Sequence, residues 1–354
     1  MTAGTERAAS TGATVIGNCT PGLERSWFPV ALSAEVTTEP ISVLLLGEAW
    51  MVVRMGDGLF AARDRCPHRL APLSIGSVVG DTFQCRYHGW RFDTEGACVR
   101  IPSAPEELAV PPRARASTPF GVAEHLGMVW IAPEEPMLGL PEVPEWDLAG
   151  FDRIEHEPRR TTASAAQLMD NFVDVSHFAT VHATTFGVPD NTVLEPVDVT
   201  VDDWTATTDY TTWYLNHDDP LVTTGEHELA QPHDIVKTAR PPFTVYMRLG
   251  FPLTDQVISI LYAMQPETET STRIFKIMAR NDFGGDEDKI AEMLDFEDRV
   301  LDEDLAVLES FRSNQLHLDP KIEVHTRADR LSLAYRRLLD RLVNGGPAEI
   351  GERP

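Results

Sequence analysis

The chain has 354 residues, of which 42% are hydrophobic, which is sufficient for a sizeable core and, at about 150 residues each, for two domains. Its net charge of −25, from 55 acidic and 30 basic residues, argues against a nucleic-acid partner, whose phosphates require a basic surface. The longest apolar run, residues 41–46, is too short to cross a bilayer, so we expect no membrane segment.

The first 22 residues are predicted to form a disordered tail, because small polar side chains dominate them. They lack the basic start and apolar run of a secretory signal. The cysteines are Cys19, Cys66, Cys85 and Cys98. If two of them bind a metal, the remaining two form no disulfide framework, and a cytoplasmic location is predicted.

Short β-rich runs separated by glycines follow the tail, from about residue 41 to residue 64. Similar runs return at 98–102, 120–125 and 127–132, so residues 23–135 are predicted to form one all-β module. Two segments between these runs each contain one cysteine and one histidine.

Cys66 and His68 lie in the first segment, and Cys85 and His88 lie in the second, with sixteen residues between His68 and Cys85. Two cysteines and two histidines could bind zinc in a tetrahedral site. They could also hold a [2Fe–2S] cluster in which two histidines replace two cysteines on one iron. The four residues alone leave both alternatives open.

The flanking residues favour the cluster. The segments CPHRLAPLSIG (66–76) and CRYHGWRF (85–92) resemble the Rieske motif of ring-hydroxylating and demethylating oxygenases at nearly every position. Residues 23–135 resemble a whole Rieske domain. The [2Fe–2S] ligands that this resemblance implies are Cys66, His68, Cys85 and His88.

The second half of the chain has a different pattern. Proline-rich residues 136–148 are predicted to form a linker, followed by a catalytic domain at 149–346 and a short tail at 347–354. Strands followed by long helices indicate an α+β fold. The elements predicted in this domain are a helix at about 165–183, strands between 192 and 280, and helices at 286–315 and 326–344.

The first of these helices carries Asn171, Asp174, His177 and His182. On an ideal helix Asp174 and His177 share a face, whereas His177 and His182 lie about 140° apart. The two histidines can bind one metal only if the helix bulges or ends between them. A purely structural role, with one hydrogen-bonded and one exposed histidine, is the alternative.

The pattern NxxDxxHxxxxH after a Rieske domain resembles the mononuclear iron motif of Rieske non-haem oxygenases, in the vanillate and dicamba demethylase-like and 3-ketosteroid hydroxylase-like branch. The resemblance implies a helix-grip catalytic domain, an antiparallel sheet plus helices. It implies that His177 and His182 bind Fe(II) with one carboxylate, leaving positions open for O₂. Asn171 would lie beside the iron, and Asp174 would bridge from His177 towards the cluster histidine of a neighbouring subunit.

The third iron ligand is sought on the helix predicted at 286–315. Glu297 and Asp304 fall within its apolar stripe and Asp298 lies at the edge of the stripe, so each acid needs a partner. The family's carboxylate lies in an acidic pair that precedes a short helical run and another glutamate, as in EDLAVLE (303–309). Asp304 is the predicted ligand, with Glu297 and Asp298 as alternatives.

The resemblance implies the terminal oxygenase of a multicomponent mono-oxygenase. A ferredoxin and/or flavin reductase, linked to NAD(P)H, would reduce the cluster. The cluster would reduce the mononuclear iron, where O₂ is used to hydroxylate or O-/N-demethylate a small aromatic or polycyclic substrate. In the family this transfer crosses a subunit boundary within a cyclic homotrimer.

An alternative is a Rieske-type electron-transfer protein without oxygenase activity, which would leave the second half of the chain without a role. Respiratory Rieske proteins also have an extra cysteine in each loop, at the positions of Ala71 and Tyr87 here. The substrate is not readable, because the aromatic strands at 205–263 fit either a pocket or an ordinary core. Lys237 and Arg240 are candidates to hold a carboxylate.

Overall fold

The computed structural model describes residues 12–105, 107–194 and 197–345. The N-terminal part is built from small antiparallel sheets. Its strands are β1 (Val15–Ile16), β2 (Phe28–Leu32), β3 (Ile41–Leu45), β4 (Glu48–Met55), β5 (Gly58–Arg63), β6 (Ser77–Val79), β7 (Thr82–Gln84), β8 (Arg91–Phe92), β9 (Cys98–Arg100), β10 (Gly121–His125) and β11 (Met128–Ala132). They form sheets β10–β11–β2, β3–β4–β5 and β6–β7–β8–β9, which confirms the predicted all-β module.

The sheet β6–β9 brings the two cysteine–histidine segments together. The first segment enters β6 at Ser77 and the second leaves β7 at Gln84. Ser77 and Gln84 are directly paired across the hairpin. Both loops therefore emerge at the same end of one hairpin.

The second part is an α+β unit, as predicted. Its strands are β12 (Asp152–Glu155), β13 (Arg159–Thr161), β14 (Val199–Asp202), β15 (Thr205–Leu215), β16 (Ala230–Arg240), β17 (Thr244–Phe251), β18 (Gln256–Thr268), β19 (Ser271–Arg280) and β20 (Leu316–His317). Its helices are α1 (Ala165–Val173), α2 (Phe178–Val181), α3 (Pro220–Thr224), α4 (Glu287–Leu308) and α5 (Arg330–Asn344). The main sheet is antiparallel in the order β12–β19–β18–β17–β16–β15–β14, with β13 also on β19. None of the helices in the described ranges is long and apolar enough to span a bilayer.

Strand β18 is buried on both faces of this sheet. Ile260 and Tyr262 belong to the core that the sheet shares with α1, α4 and α5. Leu261, on the other face, packs with Trp130 of β11 and Trp146 of the predicted linker. Alternation along this strand thus places neighbouring side chains in two different core clusters, and both clusters include residues of the N-terminal part.

The predicted disordered tail is too long. Residues 12–22 are packed on the second part of the chain, where β1 pairs with β20 and the side chains of Ile16 and Asn18 are fully buried. Asn18 Nδ2 donates to the carbonyls of Thr268 and Ser271. These partners are distant in sequence, so composition alone could not indicate them. Residues 1–11 and the predicted tail at 347–354 lie outside the described residues.

Two helices differ in length from their predictions. Helix α4 ends at Leu308 and not at 315. Residues just beyond it bond to the start of α1 and to the segment before it: Gln167 Nε2 donates to Ser313 O, and Asn314 Nδ2 donates to Thr162 O. Helix α5 begins at Arg330, after a single 3₁₀ turn capped by Thr326. The domain boundaries at 23–135, 136–148 and 149–346 stay predictions.

Candidate metal centres and active site

The two cysteine–histidine loops have the same backbone conformation. In each loop the cysteine amide donates to the carbonyl five residues later, at 2.8 and 2.9 Å. The amide four residues after the cysteine donates back to the cysteine carbonyl, at 2.9 and 3.0 Å. That fourth residue has a positive φ in both loops, 59° at Leu70 and 70° at Gly89. The loops are therefore two copies of one ligand-presenting turn.

The side chains of these loops fit a cluster. Cys66 and Cys85 are buried free cysteines, and burial raises the pKa of the Cys66 thiol to about 11. A metal is what converts such buried thiols to bound thiolates. Nδ1 of His68 is also buried and has no hydrogen-bond partner within the described ranges. The lack of a partner is explained if Nδ1 of His68 is an iron ligand.

The histidine side of the site lies at the protein surface. The His68 and His88 rings are 4.4 Å apart between centroids, and His68 stacks on Trp90 at 4.5 Å and 6°. His88 is exposed, and its neighbour Tyr87 is 64% exposed. A cluster held by these residues would have buried cysteine ligands and one exposed histidine ligand, His88, through which it would exchange electrons.

The helix predicted at 165–183 is broken, and Asp174 explains the break. Helix α1 ends at Val173, and Asp174 has extended backbone angles, φ −64° and ψ 144°. The carboxylate of Asp174 accepts from the amides of Ser176 and His177, at 3.1 and 3.0 Å. It thus caps the next short turn, as aspartate does at helix starts. His177 is the N-cap residue of α2 and His182 is its C-cap residue.

This break brings both histidines to one point. His177 Nε2 lies 3.6 Å from Asp304 Oδ1, and His182 Nε2 lies 3.3 Å from the same oxygen. One ligand atom from each of the three residues lies within 4.8 Å of the others. Two ligands about 2.1 Å from one ion are about 3 Å apart when they subtend a right angle, so these separations suit a shared metal.

Asp304 supplies the test of fit for iron. Its side chain is 5% exposed, and Oδ1 has no hydrogen-bond partner among the described residues. Burial alone would raise the pKa of Asp304, but His182 and then His177 and Asn171 hold it below its usual range. A buried, ionised and unbonded carboxylate oxygen beside two imidazole nitrogens matches the two-histidine, one-carboxylate arrangement of non-haem Fe(II).

Each histidine is oriented by a carboxylate at its other nitrogen. His177 Nδ1 donates to Asp174 Oδ2 at 2.7 Å, and His182 Nδ1 donates to Glu303 Oε2 at 2.8 Å. These bonds fix both rings with Nε2 towards Asp304, an arrangement common around metal-binding histidines. Glu303 was not identified from the sequence as a functional residue. Its position beside Asp304 was the one available signal. Adjacent residues of α4 point in different directions, so Glu303 reaches His182 Nδ1 while Asp304 faces Nε2.

The other candidate residues lie elsewhere. Glu297 pairs with the buried Lys276, and Asp298 lies 3.4 Å from Arg159. Both acids therefore have cationic partners, whereas Asp304 faces histidines. Asn171 lies beside Asp304, and its Nδ2 is buried without a partner in the described part of the chain. Asn171 thus lies beside the three residues, whereas Glu297 and Asp298 are paired with cations, although Glu297 also lines the adjoining cavity.

Lys237 closes the site from the sheet side. The residue is 1% exposed, and its ammonium donates to the carbonyls of Phe172 and Asp174, at 3.0 and 2.6 Å. These carbonyls belong to the end of α1, where a cation is favourable. The residue therefore holds the broken helix in place. Arg240 donates to Gly139 O outside the site, so the predicted carboxylate-binding role of these two cations gains no support.

An apolar cavity adjoins the three proposed iron ligands. The sheet provides one wall of it and α1, α2 and α4 provide the other. Its lining residues are Phe172, His177, Phe178, His182, Phe186, Tyr214, His233, Ile235, Lys237, Met247, Leu249, Ile260, Tyr262, Phe296, Glu297, Val300 and Asp304. A second cavity, of about 590 Å³ against about 80 Å³ for the first, shares Tyr214, Phe296 and Glu297 with it.

The aromatic strands at 205–263 serve both purposes that the sequence left open. Tyr214 and Tyr262 line the cavity, and Phe251 stacks behind it on His233. Phe243, by contrast, packs against Phe28 in the core. Part of one face of the sheet therefore lines the cavity, and aromatic residues elsewhere in these strands belong to the core.

Two family matches cover most of the chain. Residues 26–116 match the Rieske [2Fe-2S] domain. Residues 161–345, more than half of the chain, match the vanillate O-demethylase oxygenase C-terminal domain.

Curated relatives match along nearly their whole length. Methylxanthine N1-demethylase NdmA of Pseudomonas putida is 30% identical, covering 90% of this chain and 89% of that protein. The putative toluene-4-sulfonate monooxygenase system iron-sulfur subunit TsaM2 of Comamonas testosteroni is 29% identical, covering 92% and 99%. Because these relatives are a demethylase and a monooxygenase subunit, the alternative of an electron-transfer protein alone is not supported.

Solved structures agree. The Pseudomonas putida NdmA structure with caffeine has a TM-score of 0.75 at 26% identity, covering 91% of this chain and 95% of that one. Dicamba monooxygenase bound to dicamba has a TM-score of 0.75 at 22% identity, covering 91% and 98%, which shows a shared fold. The chain belongs to the Rieske non-haem iron oxygenases and is a terminal oxygenase component that carries a Rieske [2Fe–2S] cluster and a mononuclear iron.

Proposed function

We propose that this oxygenase hydroxylates, or O- or N-demethylates, a small aromatic or polycyclic molecule that binds in the cavity beside His177, His182 and Asp304. The observation that carries the proposal is the aromatic lining of this cavity, in which Phe186 stacks between the His182 and Tyr214 rings at 4.7 and 5.1 Å. Such walls favour flat apolar substrates.

The proposed iron ligands are His177, His182 and Asp304, and the proposed cluster ligands are Cys66, His68, Cys85 and His88. Iron bound at the triad supplies O₂ activation for oxygen insertion into a C–H bond, with electrons from the cluster. The protein residues orient the ligands, because Asp174 and Glu303 hold a proton on each Nδ1.

The test is substrate-dependent O₂ uptake by the holoenzyme with a surrogate reductase and NADH, with formaldehyde release on N- or O-methyl compounds. We expect uptake with some aromatic compounds and none after His182→Ala, which keeps the cluster. Uptake that persists in His182→Ala, or no uptake across a broad aromatic panel, would contradict the proposal.

A head-to-tail homotrimer is proposed as the functional assembly, with a ferredoxin or flavin reductase as electron donor. Asn171 and Asp174 line a surface cavity of about 660 Å³ behind the iron site, and Val324 in its wall is 96% exposed. In this assembly the exposed His88 edge of a neighbouring cluster would lie against this surface. Asp174 would then connect the two metal centres across the boundary. A cytoplasmic location stays a prediction.

Mixed assemblies test this arrangement. Cys85→Ser removes the cluster and His177→Ala removes the iron, so each variant alone should be inactive. If electrons cross between subunits, co-expression of the two chains should restore part of the activity. Inactive mixed trimers, with their composition verified by mass, would contradict the transfer route.

A further inference from the structure

His233 is a buried polar side chain on the wall of the cavity. It is 3% exposed, and its Nε2 has no hydrogen-bond partner among the described residues. Buried polar atoms in proteins are nearly always bonded, so an exception needs an explanation. A ligand that enters the cavity would provide the missing partner.

The His233 ring is held firmly. It stacks on Phe251 with centroids 4.6 Å apart and planes 11° apart, and it meets the Tyr214 ring edge-on at 4.9 Å and 68°. An imidazole fixed between two aromatic rings offers its nitrogen in one direction. This geometry suits recognition of one group on a substrate.

The lysine on the cavity wall already has partners. Lys237 lies two side chains along the same face of β16, but its ammonium bonds two carbonyls and lies 4.7 Å from the Phe178 ring centroid. Glu297 pairs with Lys276. Among the lining residues in the described ranges, Lys237 is the one lysine or arginine, so the wall offers no uncommitted cation to an anionic substrate.

His233 itself is uncharged in this environment. Burial, and then the charge of Lys237, lowers the pKa of His233 to about 3. A neutral imidazole forms a hydrogen bond with an uncharged polar group but gives little compensation for burying a carboxylate or sulfonate.

We propose that His233 is a specificity-determining residue that bonds through Nε2 to a neutral polar group, such as a ring or amide carbonyl, on an uncharged aromatic substrate. The inference rests on the proposed function and deepens it, because it names the substrate class. Anionic aromatics are poor substrates in this account, since the cavity would bury their charge without an ion partner.

The test uses methoxy- and N-methyl-arenes in matched sets of three that differ in one substituent: a carboxamide, a carboxylate or a methyl group. Holoenzyme with a surrogate reductase is assayed for O₂ uptake and formaldehyde. The carboxamide should have the highest kcat/KM in its set and the carboxylate the lowest, by about tenfold or more.

Two variants separate a specificity role from a structural one. His233→Leu should lower kcat/KM for the carboxamide by about tenfold, mainly through KM, and leave the methyl compound nearly unchanged. His233→Gln, which keeps donor and acceptor atoms, should restore most of the loss. Iron content and the cluster spectrum serve as folding controls.

Three outcomes would overturn the inference. In the first, carboxylates are the best substrates. In the second, His233→Leu lowers kcat/KM by the same factor for all three compounds, which indicates a packing role. In the third, His233→Gln behaves like His233→Leu. Absence of uptake with every compound would instead contradict the proposed function on which the inference rests.

Discussion

Glu303 offers the sharpest prediction of the site geometry, because it contacts the proposed iron ligand His182 and not the iron. Its carboxylate accepts from His182 Nδ1 at 2.8 Å, from Thr185 Oγ1 at 2.7 Å and from Thr184 Oγ1. Glu303→Gln keeps the shape and one acceptor but removes the charge. Because a hydrogen bond to a charged group contributes about 1.5–3 kcal/mol, the loss should weaken iron binding by about 10- to 100-fold.

Anaerobic competition with a chelator measures this iron affinity directly, while the visible spectrum reports the cluster. Glu303→Ala should lose more affinity than Glu303→Gln, since it also releases Thr184 and Thr185, which follow His182. Asp295→Asn, at an exposed position on the same helix, is the matched control and should retain wild-type affinity. Wild-type iron affinity in Glu303→Gln would refute the reasoning that this carboxylate orients and strengthens His182.

Other predictions address the remaining contacts. Asp174→Asn should retain both metals but lose most turnover, because it removes the charge beside His177; unchanged coupled activity would exclude the bridging role. Glu297→Ala and Asp298→Ala should retain the mononuclear iron, as measured by metal analysis, since both acids face cations; iron loss in either would revise the ligand assignment. Acid should destabilise the fold, because burial lowers the pKa of His156 to about 2 and that of His233 to about 3, so below about pH 6.5 the unfolded chain binds protons that the folded chain does not. The loss is about 1.4 kcal/mol per histidine per pH unit. Urea unfolding at pH 7 and 5.5 should show that the free energy of unfolding falls less with pH in His156→Leu than in wild type. An equal fall in both proteins would contradict this role of His156.

The sequence predicted the parts of the site that depend on local spacing. The cluster loops were recognisable because their ligands and turn residues lie within a few positions of each other. Leu70 and Gly89, the turn residues with positive φ, each lie four positions after a cysteine ligand. The fold class, cofactors and oxygenase family were likewise predictable and are confirmed. The metal-ligand roles of His177, His182 and Asp304 stay predictions, now supported by their proximity.

What the sequence missed depends on contacts between distant segments or on local competition for hydrogen bonds. Periodicity predicted one helix through His177, but the Asp174 carboxylate bonds the following amides and ends it. The second carboxylate, Glu303, is 121 residues from His182, so its contact with that histidine is not visible in local spacing. Asn18 falls in the tail that composition predicts to be disordered, and its hydrogen-bond partners are about 250 residues away, where composition cannot indicate them.

The central claim is that one chain holds a cluster and a separate iron bound by His177, His182 and Asp304. Iron and acid-labile sulfide analysis of wild type and of Asp304→Ala, together with the visible spectrum, tests it most directly. Wild type should contain about three iron atoms and about two sulfides per chain, from one [2Fe–2S] cluster and one mononuclear iron. Asp304→Ala should lose about one iron atom and keep both sulfides and the cluster spectrum. Full iron content in Asp304→Ala, or loss of sulfide together with iron, would contradict the account.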